Sequence, residues 1–153
     1  MEEPKDRLVA ARKRSGKTHQ ELADMTGVNR DWYYDLESYA PELSESLSLL
    51  QLRNLCAALD VSPLWLMTGG EVSGAKKLLP SELMASVKSY LGSNNLDLTE
   101  FEDKIGYTIA SVLEHPDRIF EEWNVDCLKE VCNEIGVDWV DALPVNESAN
   151  ARL

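Results

Sequence analysis

The sequence predicts an all-α protein, and three observations carry that expectation. Apolar residues recur at helical spacing over 7–14, 20–25, 30–37, 47–59 and 64–67. No long stretch alternates with the period of two that a half-buried strand requires. Punctuation suited to helix ends, with Thr, Asn or Asp before an apolar run and glycine after it, recurs along the chain.

The elements can be justified in order. The first predicted helix ends on Arg12-Lys13-Arg14, where cations complement the negative end of the helix dipole. Thr18-His19-Gln20-Glu21 is a capping box: the Thr hydroxyl accepts from the Glu21 amide, and the Glu21 carboxylate reaches back. Gly27 ends that second helix, because glycine enters the left-handed conformation without a side-chain clash. Asn29 caps the third. A helix, a short turn with glycine and a second helix make a helix-turn-helix. Helices over 47–59 and 64–67 complete the first half. The stretch 69–80 then reads as a linker, since 69–74 holds three glycines and few large side chains follow before Leu78. Gly69 and Gly74 have the spacing of a phosphate-binding loop, but Ala75 stands at the lysine position and no strand precedes. Ser81 is the expected cap of the next helix. The division is a first domain over 1–68, a linker over 69–80, a second domain over 81–144 and a flexible tail over 145–153.

Composition narrows the function classes. The 153 residues are 44% apolar, an ordinary fraction for a packed core, with a formal net charge of -12. No apolar run approaches a membrane span, and the charged start MEEPKDRL lacks the apolar region of a secretion signal. The three cysteines read as reduced thiols, so a cytoplasmic location is expected. Such acidity argues against coating nucleic acid non-specifically, which needs clustered Lys and Arg. The charge is uneven, however. Residues 1–70 carry eight bases and eleven acids, and five of those bases fall between Arg7 and Lys17; residues 71–153 carry seven bases and sixteen acids. That asymmetry suits a chain in which only the first half faces nucleic acid.

The motifs of the first half are similar to a known family. Arg12, then Gly16-Lys17-Thr18-His19-Gln20-Glu21-Leu22-Ala23, Gly27-Val28, Leu36-Glu37, and a closing run from Leu55 through Val61-Ser62-Pro63-Leu64-Trp65-Leu66 to Gly69, together resemble the phage-repressor and Cro type of DNA-binding domain, also called XRE-like. The resemblance covers about 5–70. It implies five short helices, with the third entering the major groove of duplex DNA. It assigns base reading to Arg30, Asp31, Trp32 and Asp35, places His19 where the family usually has a glutamine on the DNA backbone, and matches Arg12 to a recurrent arginine. Arg14, Lys17, Gln20 and Asn29 complete the expected DNA-binding set. It also implies a homodimer reading two half-sites. Departures from the pattern lie in the same places: Tyr39 replaces a frequent glycine, 38–46 is long and acidic, and 28–37 has one base and three acids.

A second copy is visible in the sequence. Shifted by 79, Thr18, Glu21, Leu22, Asp24, Gly27 and Asn29 correspond to Asp97, Glu100, Phe101, Asp103, Gly106 and Thr108. Shifted by 76, Leu52, Leu55, Cys56, Leu59 and Val61 correspond to Leu128, Val131, Cys132, Ile135 and Val137. Residues 81–143 therefore resemble a degenerate repressor-type unit, giving two tandem bundles of about five short helices each. Its counterparts of Arg30, Asp31, Trp32 and Asp35 are Ile109, Ala110, Ser111 and Glu114, and Pro116 should end that helix early. The copy thus keeps a core without groove chemistry. Two readings of the copy stand side by side: an acidic domain that merely packs on the first, or a surface for a protein partner on which Ile109, Val112 and Leu113 are partly exposed.

No catalytic or cofactor site emerges from the sequence. Cys127 and Cys132 lie five apart without a nearby histidine, short of a metal site; His19 and His115 lack a nucleophile at suggestive spacing. Asn146-Glu147-Ser148 fits a glycosylation acceptor that a cytoplasmic protein would not use. Two functions follow as expectations. The first is a sequence-specific DNA-binding transcriptional regulator, contacting duplex DNA through 5–70. The alternative is a repressor-fold module that binds protein through acidic and aromatic surfaces. They separate on one feature: whether Arg7, Arg12, Arg14, Lys17 and Arg30 converge beside the third helix, or Asp31, Asp35 and Glu37 cancel them.

Overall fold

Eleven α-helices and two 3-10 turns, without a strand, make up the described residues of the computed structural model, 2–70 and 77–145. The protein is all-α, as the sequence predicts. In the first half, α1 (Pro4–Ser15), α2 (His19–Thr26), α3 (Arg30–Ser38), α5 (Leu49–Leu59) and α6 (Pro63–Thr68) surround a core, with the one-turn α4 (Glu42–Glu45) between α3 and α5. In the second, α7 (Pro80–Ser93), α8 (Leu98–Ile105), α9 (Ala110–Glu114), the 3-10 turn η1 (Pro116–Arg118), α10 (Ile119–Glu122), α11 (Val125–Ile135) and the 3-10 turn η2 (Trp139–Ala142) do the same.

The helix boundaries follow the local chemistry. Thr18 Oγ1 accepts from the Glu21 amide at 3.1 Å while the Thr18 amide donates to Glu21 Oε1 at 3.0 Å. Gly27 takes φ 86° and its N–H donates to the Ala23 carbonyl at 2.9 Å. Asn29 Oδ1 accepts from the Trp32 amide at 2.7 Å. In the second half the Asp97–Glu100 box closes likewise, and Gly106 is left-handed with φ 80°. Pro116 stands just past α9, whose last residue is Glu114, as expected of a residue that disfavours helix before it.

Four expectations need correction. Ser81 does not cap α7: the helix begins at Pro80, whose ring presets the helical φ, and the Leu79 amide donates to Glu82 Oε1 at 2.9 Å. Thr108 does not cap α9 either; Ile109 occupies that position, and its amide donates to Glu102 Oε2 at 2.6 Å. The acidic loop over 38–46 contains α4, so the first half has six helices where the resemblance implies five. Ile109, Val112 and Leu113 are buried, so they present no apolar surface. With α9 only one turn long, these side chains are drawn into the second half's core. Of the expected linker, 71–76 lies outside the described residues, as does 146–153 of the expected tail and the Asn146 acceptor with it. The far end of the linker is anchored: Lys77 Nζ donates to the Leu143 carbonyl and the Leu78 amide to the Asp141 carbonyl, both at 2.8 Å.

The buried apolar side chains of the two halves form one connected core. Leu8, Leu22, Tyr33, Leu36, Leu52, Leu55 and Leu66 fill the first half, and Leu83, Val87, Phe101, Val125, Leu128 and Val131 the second. The halves meet where α5 packs on α10 and α11 packs on α4. Across that seam the Leu49 amide donates to the Trp123 carbonyl at 2.8 Å, Asn124 Nδ2 donates to the Glu45 carbonyl at 2.8 Å, and the Arg53 guanidinium lies 5.9 Å from the centre of the Phe120 ring. No helix among the described residues is long and apolar enough to cross a membrane.

Cys56, Cys127 and Cys132 are all buried, the first and last at corresponding positions of α5 and α11. Burial pushes the Cys127 and Cys132 thiols up to about 12, and raises Cys56 as well. The reactive thiolate is therefore scarce at neutral pH. With a thiol-specific chromogenic reagent, the native protein should show slow labelling and the urea-unfolded protein rapid labelling of three thiols. Fast labelling of the native protein would contradict this burial.

Candidate recognition surface

The α2–turn–α3 unit presents one face of α3 to solvent. Tyr33 and Leu36, three residues apart, anchor the inner face in the core, which leaves Arg30, Asp31, Tyr34, Asp35 and Ser38 outside. Tyr34 is 43% exposed, and its ring stacks on His19 of α2 with centroids 4.4 Å apart. His19 Nε2 lies 3.5 Å from Glu37 Oε1. Arg30 forms no ion pair with Asp31 or Asp35, although all three are exposed.

Behind this face sits a largely buried ion pair. Arg12 of α1 grips Glu37 of α3 in a fork, Nε to Oε2 at 2.6 Å and Nη2 to Oε1 at 3.1 Å. Their side chains are 16% and 9% exposed. The hydrogen bond to Glu37 raises the guanidinium's proton affinity further. Next to the pair, the Tyr33 phenol is pushed up by burial and by the Glu37 carboxylate, while its hydroxyl makes no hydrogen bond of good geometry among the described residues. Arg12 therefore clamps α1 to α3 and has little guanidinium left for a phosphate.

The remaining expected DNA contacts divide in the same way. Trp32 is half-buried rather than turned outward: Nε1 donates to Ser46 Oγ at 2.8 Å, and Ser46 Oγ donates to the Glu42 carbonyl at 2.8 Å. The indole is thus a strut between α3 and α4. Asn29 spends its side-chain oxygen on the cap, and Gln20 Nε2 donates to Asp24 Oδ1 at 2.9 Å. Arg14 lies 5.8 Å from the Trp65 ring centre, turned toward α6. Arg7 is buried, with Nε donating to the Leu66 carbonyl at 2.8 Å. Gly69 takes φ 76°, in the left-handed region that favours glycine, and a Cβ there would lie 3.2 Å from Arg7 Nη1. Of the five bases expected to converge, Lys17 and Arg30 are left beside α2 and α3. The Glu37 clamp and the Ser46 strut were not legible in the sequence, since each partner lies far along the chain.

The surface is strongly acidic. Between 18 and 46 the chain has one base, Arg30, and seven acids: Glu21, Asp24, Asp31, Asp35, Glu37, Glu42 and Glu45. Glu37 alone among them is paired with a cation of α1. A groove of about 410 Å³ at the seam between the halves continues the pattern, with Glu45 and Glu122 among its lining residues beside Tyr107 and Trp123. The corresponding stretch of the second half, 97–123, has two bases, Lys104 and Arg118, against eight acids.

Comparison of the chain with protein-family models, with curated proteins and with solved structures found no match.

Proposed function

We propose that the protein is a non-enzymatic interaction module on a repressor-type fold, and that the outer face of α3 takes a protein partner with a basic surface. The observation that carries this reading is the charge around α3: with Glu37 set against Arg12, 18–46 keeps one base, Arg30, and six acids, and Arg7 is committed inside the fold. A duplex would set rows of phosphates on both sides of that helix, and such a surface repels them. A basic protein is attracted by the same field, which speeds encounter and fixes orientation. Met25, Tyr34 and Tyr39, exposed by 49%, 43% and 59%, supply apolar and aromatic contact area of the kind enriched at protein interfaces.

A second reading, the transcriptional regulator, is favoured by Arg30. It is exposed, unpaired by Asp31 or Asp35, and in the first turn of α3, where a guanidinium can grip guanine O6 and N7. One pair of measurements separates the two. The full chain is offered a pool of randomised duplexes and, separately, a panel of Lys/Arg-rich peptides, each over a range of salt. The interaction reading expects no enriched duplex and salt-sensitive peptide binding, with Tyr34→Ala costing about 2 kcal/mol. Enrichment of one duplex sequence, with Arg30→Ala costing about 1–3 kcal/mol and relaxing the preference at a single base pair, would overturn it.

A further inference from the structure

We infer that the chain is its own dimer: residues 77–145 cap, across an approximate internal twofold axis, the α4–α5 face through which the first half would otherwise pair with a second copy, so that the protein acts as a monomer with one recognition helix. The elements of the two halves correspond in order and position. α2 (His19–Thr26) and α8 (Leu98–Ile105) are offset by 79 residues, α4 (Glu42–Glu45) and α10 (Ile119–Glu122) by 77, and α5 (Leu49–Leu59) and α11 (Val125–Ile135) by 76. Their packing corresponds as well. α5 packs on α1, α2 and α6 as α11 packs on α7, α8 and η2, whereas the close α2–α3 packing of the first half is not reproduced between α8 and α9.

The contacts between the halves are reciprocal in the same correspondence. α5 packs on α10, the equivalent of α4, and α4 packs on α11, the equivalent of α5. In a twofold interface a patch meets its own copy, so that if one element touches a second, the second touches the first. The seam has that form, built within one chain. Side-chain detail departs from the symmetry, which makes the internal pairing distinct from a pairing of first halves: Asn124 Nδ2 reaches the Glu45 carbonyl, whereas its counterpart Ser48 spends its hydroxyl on the Gln51 amide, and Phe120 under Arg53 corresponds to the buried Leu43. Only one half retains a full recognition helix: α3 has nine residues and an exposed face, while α9 has five with its apolar side chains buried. A partner is therefore engaged one-to-one, whatever its chemistry.

The test uses the full chain. Sedimentation equilibrium across the micromolar range should give a single species of 17.2 kDa. A stable wild-type dimer would overturn the inference. The variant carrying Asn124→Asp and Phe120→Lys alters the second half's side of the seam. Aspartate keeps the α11 cap on the Cys127 amide but cannot donate to the Glu45 carbonyl, and the new ammonium meets the Arg53 guanidinium across the seam. This variant should double in mass as concentration rises, because the self-complementary α4–α5 face is freed. Hydrogen exchange at the Leu49 amide reports the seam itself, since that amide donates to Trp123 across it. A variant that stays monomeric overturns the inference, whether Leu49 exchanges freely or remains protected: the first shows that the freed face does not pair, the second that these contacts do not hold the seam.

Discussion

Arg12→Ala should destabilise the protein by about 3 kcal/mol, at the lower end of what breaking a buried ion pair costs. The substitution leaves Glu37, 9% exposed, without its forked partner, with His19 Nε2 at 3.5 Å and the Tyr33 phenol beside it. The cost arises from a charge kept from water without compensation, not from the strength of the pair itself. Replacing both partners, Arg12→Met with Glu37→Leu, should therefore recover most of the loss, because it removes both desolvated charges and keeps apolar volume between α1 and α3. The measurement is the urea midpoint of the three proteins, with the slope unchanged so that midpoints can be compared as stability. If Arg12→Ala shifts stability by no more than about 0.5 kcal/mol, the pair behaves like a surface salt bridge and Arg12 is available to a ligand after all.

Trp123→Ala should cost about 3–5 kcal/mol, the range for deleting a large buried aromatic. Trp123 is 3% exposed and lies just before α11, with its carbonyl accepting the Leu49 amide across the seam. Its indole N–H is buried without a hydrogen-bond partner among the described residues. That N–H already bears a desolvation penalty, so Trp123→Phe should cost far less than the alanine change, despite the smaller ring. The gap between the two variants, read by urea denaturation, isolates ring packing from the polar atom. Equal losses in both would mean that the indole N–H is satisfied in solution, by water in the adjoining groove.

The same two residues mark the limit of what the chain's order of amino acids makes legible. Helix positions, the Thr18 and Asp97 capping boxes, the Asn29 cap and the left-handed Gly27 and Gly106 could all be read in advance. Each is settled by groups within about four residues of one another, the distance over which a helix end satisfies its backbone. The start of α7 is equally local, set by Pro80 and Glu82, whereas that of α9 depends on Glu102, seven residues before Ile109.

The order of residues alone specifies an all-α chain with a helix-turn-helix in its first half and a repeated pattern of caps and core positions in its second. Packing in three dimensions settles which of its charges and aromatics are available. Arg12 met Glu37 from 25 residues away, Arg7 met Leu66 from 59, and Trp32 met Ser46 from 14. Those pairings turned expected DNA contacts into clamps and struts and left α3 with an acidic face. The physical reason is that a helix end is completed by its own neighbours, whereas the desolvation and pairing of a side chain depend on whatever the fold packs against it.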